Sequence, residues 1–282
     1  VPPEVAEDDV ARAARLLIIA GSDSGGGAGI QADLKTASAL GVFGTTAITA
    51  ITAQNTLGVQ AVEVLPPALV AAQIGSVLSD IGADAVKIGM LGTADIACAV
   101  SAALEGYGGP VVLDPVMVAK SGDALLSDDA VSALARHLLP RATLLTPNLP
   151  EAARLLNAST ARTEAEAVEQ GCALLALGAK AVLMKGGHAE GPLCRDLLVT
   201  ARGIRRHEAP RVATRNTHGT GCTLSSAIAS CLARGATLEG AVAEAHVWLQ
   251  AAIRAADGLA IGAGHGPVHH FHAVWHAQEV PA

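Results

Sequence analysis

A chain of 282 residues can bury roughly three quarters of its unfolded surface, so it needs no metal or disulfide staple to fold. Its net charge of -7 and sequence pI near 5.8 leave no basic face to displace counterions from a nucleic acid or an anionic membrane. Aromatics are 2% of the residues, which removes stacking platforms for single strands and leaves Ala, Val, Leu and Ile to build the core.

The acidic opening, with Glu4, Glu7, Asp8 and Asp9, lacks a basic segment followed by an apolar core. Residues 1–15 are therefore expected to form a flexible leader and residues 16–282 a single domain. Leu16-Leu-Ile-Ile-Ala20 is a short apolar run ending at Gly21, the pattern of a strand covered on both faces of a parallel sheet. Ser22 to Gly29 is a glycine-rich loop, and Ile30 to Leu40 has helical spacing before Gly41. Gly44 to Ala53 predicts a second strand from its β-branched residues, and Val59 to Val64 a further short one. No charge occurs from Thr36 to Val62, but the Thr, Gly, Gln and Asn there suit buried strands rather than a membrane span.

Helices are next predicted over Pro67–Leu78, Thr93–Leu104, Ser127–Leu139, Pro150–Leu156 and Glu164–Leu177. They alternate with strands over Asp84–Gly89, Pro110–Leu113, Thr143–Leu145 and Ala181–Met184. Beyond Gly187, Leu193–Val199 and Ile204–His207 read as an antiparallel hairpin, followed by helices over Ser225–Arg234 and Leu238–Ala256. This alternation implies an α/β fold: a mostly parallel sheet with helices on both faces and a small antiparallel edge. Gly264 to His272 concentrates histidines, with His276 a helical turn further. A metal site or a packed terminus are the two readings, and the lack of Cys partners favours packing. Five cysteines without CxxC spacing suggest neither zinc nor a disulfide framework and fit a reducing cytoplasm.

Ligands of open α/β sheets gather at the carboxyl ends of the strands. Gly21-Ser-Asp, Gln54-Asn, Gly89-Met, Asp114-Pro-Val, Thr146-Pro-Asn and Lys185-Gly-Gly-His all fall there, so they define one rim. Gly219-Thr-Gly-Cys222 leads from turn formers into a helix, a junction whose free amides and dipole suit a phosphate. In that positive field the Cys222 thiol is expected to lose its proton more easily. Lys185 would emerge from its strand where phosphate charge needs neutralising. The dinucleotide fingerprint fails, because Ile30 stands where glycine is required, and no P-loop sequence occurs. Asn148 and Glu151 read either as helix N-cap and dipole partner or as a Mg²⁺ site acting through water; Asp114 is either a similar ligand or a turn former. Gln54 and Asp33 can together match an aminopyrimidine edge, or can be a strand-end cap and a solvated helix charge.

Ile18 to Lys35, Thr52-Ala-Gln-Asn55, Lys87-Ile-Gly-Met-Leu91, Leu113-Asp-Pro-Val-Met117, Leu145 to Glu151, Met184-Lys-Gly-Gly-His188 and Asn216 to Cys222 occur in one order. With Ala119-Lys-Ser-Gly-Asp123 and Gly266 to His272, they resemble the bacterial hydroxymethylpyrimidine and phosphomethylpyrimidine kinases of thiamine biosynthesis, in the ribokinase superfamily. That resemblance covers nearly all the chain after the leader. It implies a three-layer αβα fold, ATP and Mg²⁺, a homodimer, and two successive phosphorylations of the pyrimidine. By position it assigns Gly21, Ala28, Asp33, Gln54, Met90 and Val116 to the pyrimidine pocket. Asn148, Glu151, Lys185 and Thr214 match nucleotide, phosphate or metal contacts, and Gly219, Thr220 and Gly221 the anion hole. Cys222 takes the place of the aspartate base of sugar-phosphorylating relatives, and Ala119–Asp123 that of a flap. As a base, Cys222 would matter more for the first step, in which an alcohol loses its proton, than for the second. A pyridoxal or pyridoxine kinase is the nearest alternative.

Overall fold

Short apolar runs bounded by glycine or proline become the inner strands of one nine-stranded sheet. The computed structural model describes residues 12–117, 126–187 and 191–275. Strands β1 (Arg15–Asp23), β2 (Phe43–Asn55), β4 (Ala85–Ile88), β5 (Val111–Leu113), β6 (Leu144–Leu145) and β7 (Ala181–Met184) pair in parallel. β3 (Gly58–Val64) runs antiparallel on β2 at one edge, and β8 (Leu193–Thr200) and β9 (Gly203–Pro210) extend the other edge antiparallel. The order is β3-β2-β1-β4-β5-β6-β7-β8-β9. From β1 the chain goes first to one side and later returns to the other, so β1 and β4 flank the switch point where such sheets bind ligands.

The period of two along β1 divides its side chains between two cores. Leu17 and Ile19 face α2 (Pro67–Asp80), α3 (Ala94–Ala103), α4 (Asp128–His137), α5 (Leu149–Leu156) and α6 (Glu164–Ala176). Leu16, Ile18 and Ala20 face α1 (Gly29–Ala39), α7 (Thr220–Ala233) and α8 (Leu238–Arg254). The four from Leu16 to Ile19 are wholly buried, each contributing about 1.5–3 kcal/mol from its removal from water. The result is the expected three-layer architecture. Among the described residues no helix is long and apolar enough to cross a membrane.

Most helix starts follow local capping. Thr93, Ser127, Asn148, Thr163 and Thr237 each accept a backbone N–H of the first turn. α7 departs from this rule and from the sequence expectation. It begins at Thr220 rather than Ser225, because Gly219 adopts φ 78° and turns the chain straight into the helix without a side-chain cap. Gly221 and Cys222 therefore lie in the first turn, not in a loop before it. β1 also runs past Ala20 to Asp23 across a register shift, which carries Gly21 and Asp23 within the strand. Residues 1–11, the segment Ala119–Asp123, His188 and His276 lie outside the described residues.

Candidate functional site

The carboxyl ends of β5 and β7 and the first turn of α5 bring three charges together. Lys185 Nζ lies 2.8 Å from Asp114 Oδ1 and 3.9 Å from Glu151 Oε2. Thr146 Oγ1 donates to Asp114 at 3.0 Å and Ser225 Oγ at 3.2 Å, so both carboxylate oxygens are engaged. A Cβ built at Gly221 would stand 3.3 Å from Lys185 Nζ and 3.8 Å from Asp114 Oδ2, which sets this cluster directly against the first turn of α7. The Thr220 N–H bonds the Thr217 carbonyl at 3.3 Å, and with no side-chain cap at Gly219 the next amides, those of Gly221 and Cys222, face an external acceptor. An ammonium and a helix N-terminus thus lie side by side, the requirement for holding an anion of several charges.

The electrostatics follow from burial. Burial opposes ionisation of Asp114, but Lys185 and Lys87 overcome it and hold its carboxyl below the ordinary range. Glu151 is different: burial and the charge of Asp114 push it up to about 7 against the pull of Lys185. Its other role is the capping box of α5, where Asn148 accepts from Glu151 N–H at 2.8 Å and Glu151 Oε2 accepts from Asn148 N–H at 2.7 Å. The N-cap reading of Asn148 is thus present in the structure, and Glu151 serves both the cap and the charge cluster. A carboxyl raised from 4.5 to about 7 stabilises the folded state in full below about pH 4.5, and loses that contribution as pH rises through about 7. Glu151→Gln keeps an acceptor for the capping box and is expected to gain on the wild type at pH 8 by on the order of 2 kcal/mol, but little at pH 5. Thermal unfolding at the two pH values checks this; an equal offset at both would remove Glu151 as the titrating group.

Beneath this cluster the structure corrects two expectations. Asp33 is not a solvated helix charge, nor does it offer a free edge to a ligand. It is fully buried, with Lys87 Nζ at 2.7 Å and Ser226 Oγ donating at 2.6 Å. Lys87 is itself wholly buried in β4. The Cys222 thiol, half-buried, is shifted opposite to the direction expected from its helix start. Burial, with Asp33 and Asp114 adding to it, pushes the thiol up to about 11, although Lys87 and the Gly29 amide oppose the shift. The helix N-terminus alone suggested the opposite direction; burial reverses it first, with the two carboxylates contributed by other elements adding to it.

Gly21 and Met90 meet at the ends of β1 and β4, where a Cβ at Gly21 would stand 2.7 Å from Met90 Cε. Gln54 Nε2 lies 3.4 Å from His218 Nε2, which lies 2.9 Å from Asp23 Oδ2. Asp23 also accepts the amides of Gly25, Gly27 and Ala28. Burial opposes its charge, but His218 and the amides of Ala28 and Gly25 hold the carboxyl below the usual range. The two glycine loops of the chain meet here: a Cβ on Gly219 would overlap the carbonyl oxygen of Gly27 and approach Ala28. Gly219→Ala adds that clash to a left-handed backbone, and is expected to cost at least ~2 kcal/mol of stability. A melting temperature unchanged from wild type would show that the loops can separate freely.

Of the remaining expected residues, half-buried Val116 lies just beyond Asp114, its N–H bonded to the Asp114 carbonyl at 2.8 Å. Thr220 Oγ1 bonds the Thr217 carbonyl and shapes the turn. Thr214 is held by Asp257, which also accepts from Asn216 Nδ2 at 2.7 Å; its bonds do not reach the Lys185 cluster. The terminal histidines are spent on packing. His270 bonds Thr223 Oγ1 at 3.1 Å and is driven down to about 3 by burial, while His269 meets Trp275 edge-on and His272 packs at a tilt against Trp248. Among the described residues no group of three His, Cys, Asp or Glu side chains is placed to hold a metal by itself. Residues with roles in the site that the sequence reading missed are Lys87, His218, Asp23, Ser225 and Ser226. Lys87 carried a signal: a lysine inside an otherwise apolar four-residue strand must be paired.

A family model described as phosphomethylpyrimidine kinase matches residues 23–269. The chain is 57% identical over 260 residues to the hydroxymethylpyrimidine/phosphomethylpyrimidine kinase of Salmonella typhimurium, covering 92% of this chain and 98% of that protein. The phosphomethylpyrimidine kinase structure from Clostridium difficile 630 matches with a TM-score of 0.76 at 43% identity, covering 85% of this chain and 99% of that one. The pyridoxal kinase of Staphylococcus aureus in complex with AMP-PCP and pyridoxal gives a TM-score of 0.86 at 32% identity, covering 93% and 95%.

Proposed function

The chain belongs to the phosphomethylpyrimidine kinase family, and we propose from that premise that it phosphorylates 4-amino-5-hydroxymethyl-2-methylpyrimidine and then its monophosphate to the diphosphate, using ATP, in thiamine biosynthesis. It is a phosphotransferase. The observation that carries the site assignment is the placing of Lys185 Nζ against Gly221 at the uncapped start of α7. The absence of a Cβ at Gly221 would let a phosphate oxygen approach the backbone beside the ammonium. Mg²⁺ fits the hard carboxylate oxygens of Asp114 and Glu151 nearby; with no protein cluster complete enough to bind it alone, these residues would hold it through water on the nucleotide phosphates. When bound, the ion supplies charge neutralisation between the phosphates.

In this assignment Lys185 and the amides at Gly221 and Cys222 neutralise the equatorial oxygens of the transferred group, and Asp114 keeps Lys185 aimed at it. Gln54, with His218 behind it, offers donor and acceptor to the aminopyrimidine edge, while Gly21 and Met90 bound the ring. Val116 and Ala28 complete the proposed pocket; Asp33 supports it from below through Lys87 and Ser226. Thr214 and Asn148 shape loops beside the nucleotide. A thiol near 11 keeps its proton at neutral pH, so Cys222 contributes bulk and its backbone amide rather than a base. In a loose transition state the alcohol proton leaves late, and the transferred phosphoryl oxygens can take it. Cys222→Ala is expected to retain both phosphorylation rates within about tenfold; a loss of about a hundredfold or more confined to the first step would restore the base role.

The function is tested by mass analysis of products formed from the hydroxymethylpyrimidine, ATP and Mg²⁺, with pyridoxal supplied in parallel. Mono- and diphosphate of the pyrimidine are expected. The second reading, a pyridoxal kinase, is favoured by the higher TM-score to the Staphylococcus aureus enzyme, 0.86 against 0.76, and pyridoxal phosphate as the sole product would establish it. Residues 16–282 acting as one kinase domain, a homodimeric assembly and a cytoplasmic location belong to the same proposal. Sedimentation at a mass of one chain would remove the dimer.

A further inference from the structure

Lys185 leaves the sheet at the end of β7, where a residue of the neighbouring strand β8 has no part in the cluster described above. Asp196 Oδ1 accepts the N–H of Gly186 at 2.9 Å, one residue beyond Lys185. The N–H of Lys185 itself is bonded to the Pro147 carbonyl at 2.8 Å. The backbone carrying the lysine is therefore gripped from two sides, by the segment leading into α5 and by the edge strand. Gly186 lies so close to β8 that a Cβ would overlap the Arg195 carbonyl oxygen, so the grip tolerates no slack.

The rest of Asp196's surroundings do not explain a carboxylate there. Its side chain is 13% exposed, its Oδ2 lies 4.0 Å from His246 Nε2, and the His207 ring stands 5.8 Å from that of His246. His207 Nε2 has no hydrogen-bond partner. Burial lowers both histidines, and at His207 the charges of His246 and Arg205 add to it against the pull of Asp196, so both favour the neutral ring and are weak counter-charges. Burial pushes the Asp196 carboxyl above its ordinary range; what works against burial is the Gly186 amide first and the charge of Lys185 second, with His207 after them. A buried carboxylate is costly to maintain, and the first two of these partners both belong to the stretch that delivers the ammonium.

We propose that Asp196 is a positioning residue for Lys185, fixing the Gly186 peptide so that the ammonium is held over the start of α7. This rests on the reading that Lys185 neutralises the transferred phosphoryl group. The test compares Asp196→Ala and Asp196→Asn in the full chain, with kcat, separate KM values for ATP and the pyrimidine, affinity for a non-hydrolysable ATP analogue, and thermal unfolding. Asp196→Ala is expected to lower kcat/KM for ATP by about tenfold to a hundredfold, as a displaced catalytic group does, with the pyrimidine KM unchanged. Asp196→Asn retains an oxygen able to accept the Gly186 N–H and is expected to stay within about threefold of wild type. The proposal is overturned if Asp196→Ala keeps wild-type kinetics, if Asp196→Asn falls as far as Asp196→Ala, or if both KM values move together. If Asp196→Ala does not fold, Asp196→Asn decides alone: near-wild-type turnover supports the hydrogen-bond role, and a tenfold loss overturns it. The analogue affinity reports on Asp196 even if the phosphate acceptor is another molecule, so a failure of the functional reading is distinguishable from a failure of this one.

Discussion

Lys185→Met is expected to lower both phosphorylation rates by about a thousandfold, the scale on which preorganised charge at a developing anion acts. The effect has two parts. The ammonium that faces the first turn of α7 is lost, and Asp114 and Glu151 are left as neighbouring buried carboxylates without their shared cation. Asp114 then loses the partner that holds it ionised, and Glu151 moves further up. Lys185→Arg is not expected to restore turnover, because a longer, planar fork does not reproduce the point charge that Asp114 holds at 2.8 Å. Kinetics on purified variants that still bind the pyrimidine check this. Retention of more than a tenth of wild-type turnover in Lys185→Met would place the neutralising charge elsewhere.

Asp33→Ala is expected to cost about 3–5 kcal/mol of stability, because it leaves the Lys87 ammonium buried and unpaired. Ser226 also loses its acceptor on the wholly buried face of α7. The double variant Asp33→Leu with Lys87→Met should recover much of that loss, since an apolar pair removes the desolvation cost of both charges. Chemical denaturation of the single and double variants is the measurement. A single variant within 1 kcal/mol of wild type would mean that water reaches Lys87, contrary to its complete burial.

The parallel sheet and its ligand rim were readable because continuous apolar runs such as Leu16–Ile19 and Ala181–Met184 can only be strands covered on both sides. Lys185 and Gly219–Gly221 were readable for a related reason: a charge or glycine run at a strand or helix end has few structural uses. Asp33 was not. Its place among Ala32 and Leu34 in a helix says nothing of Ser226, 193 positions away in the chain, or of Lys87 on β4. Cys222 failed in the same way. Its local setting at a helix start argues for a thiolate, and burial, with Asp33 on α1 and Asp114 just beyond β5 adding to it, turns the sign. The start of α7 was misplaced because Thr220 and Gly221 resemble turn residues until Gly219 is seen to make the whole turn alone. His218 sat inside the stretch marked as a phosphate site, yet its partners Asp23 and Gln54 lie on the first two strands.

In the proposed function one site, formed by Lys185, the start of α7 and the Gln54–His218 pair, carries both phosphorylations. A single time course of products from the hydroxymethylpyrimidine, ATP and Mg²⁺, run for wild type and Lys185→Met, tests it most directly. The monophosphate should rise and then fall as the diphosphate accumulates, and both phases should be lost together in Lys185→Met. A variant that loses one phosphorylation and keeps the other would contradict a shared site.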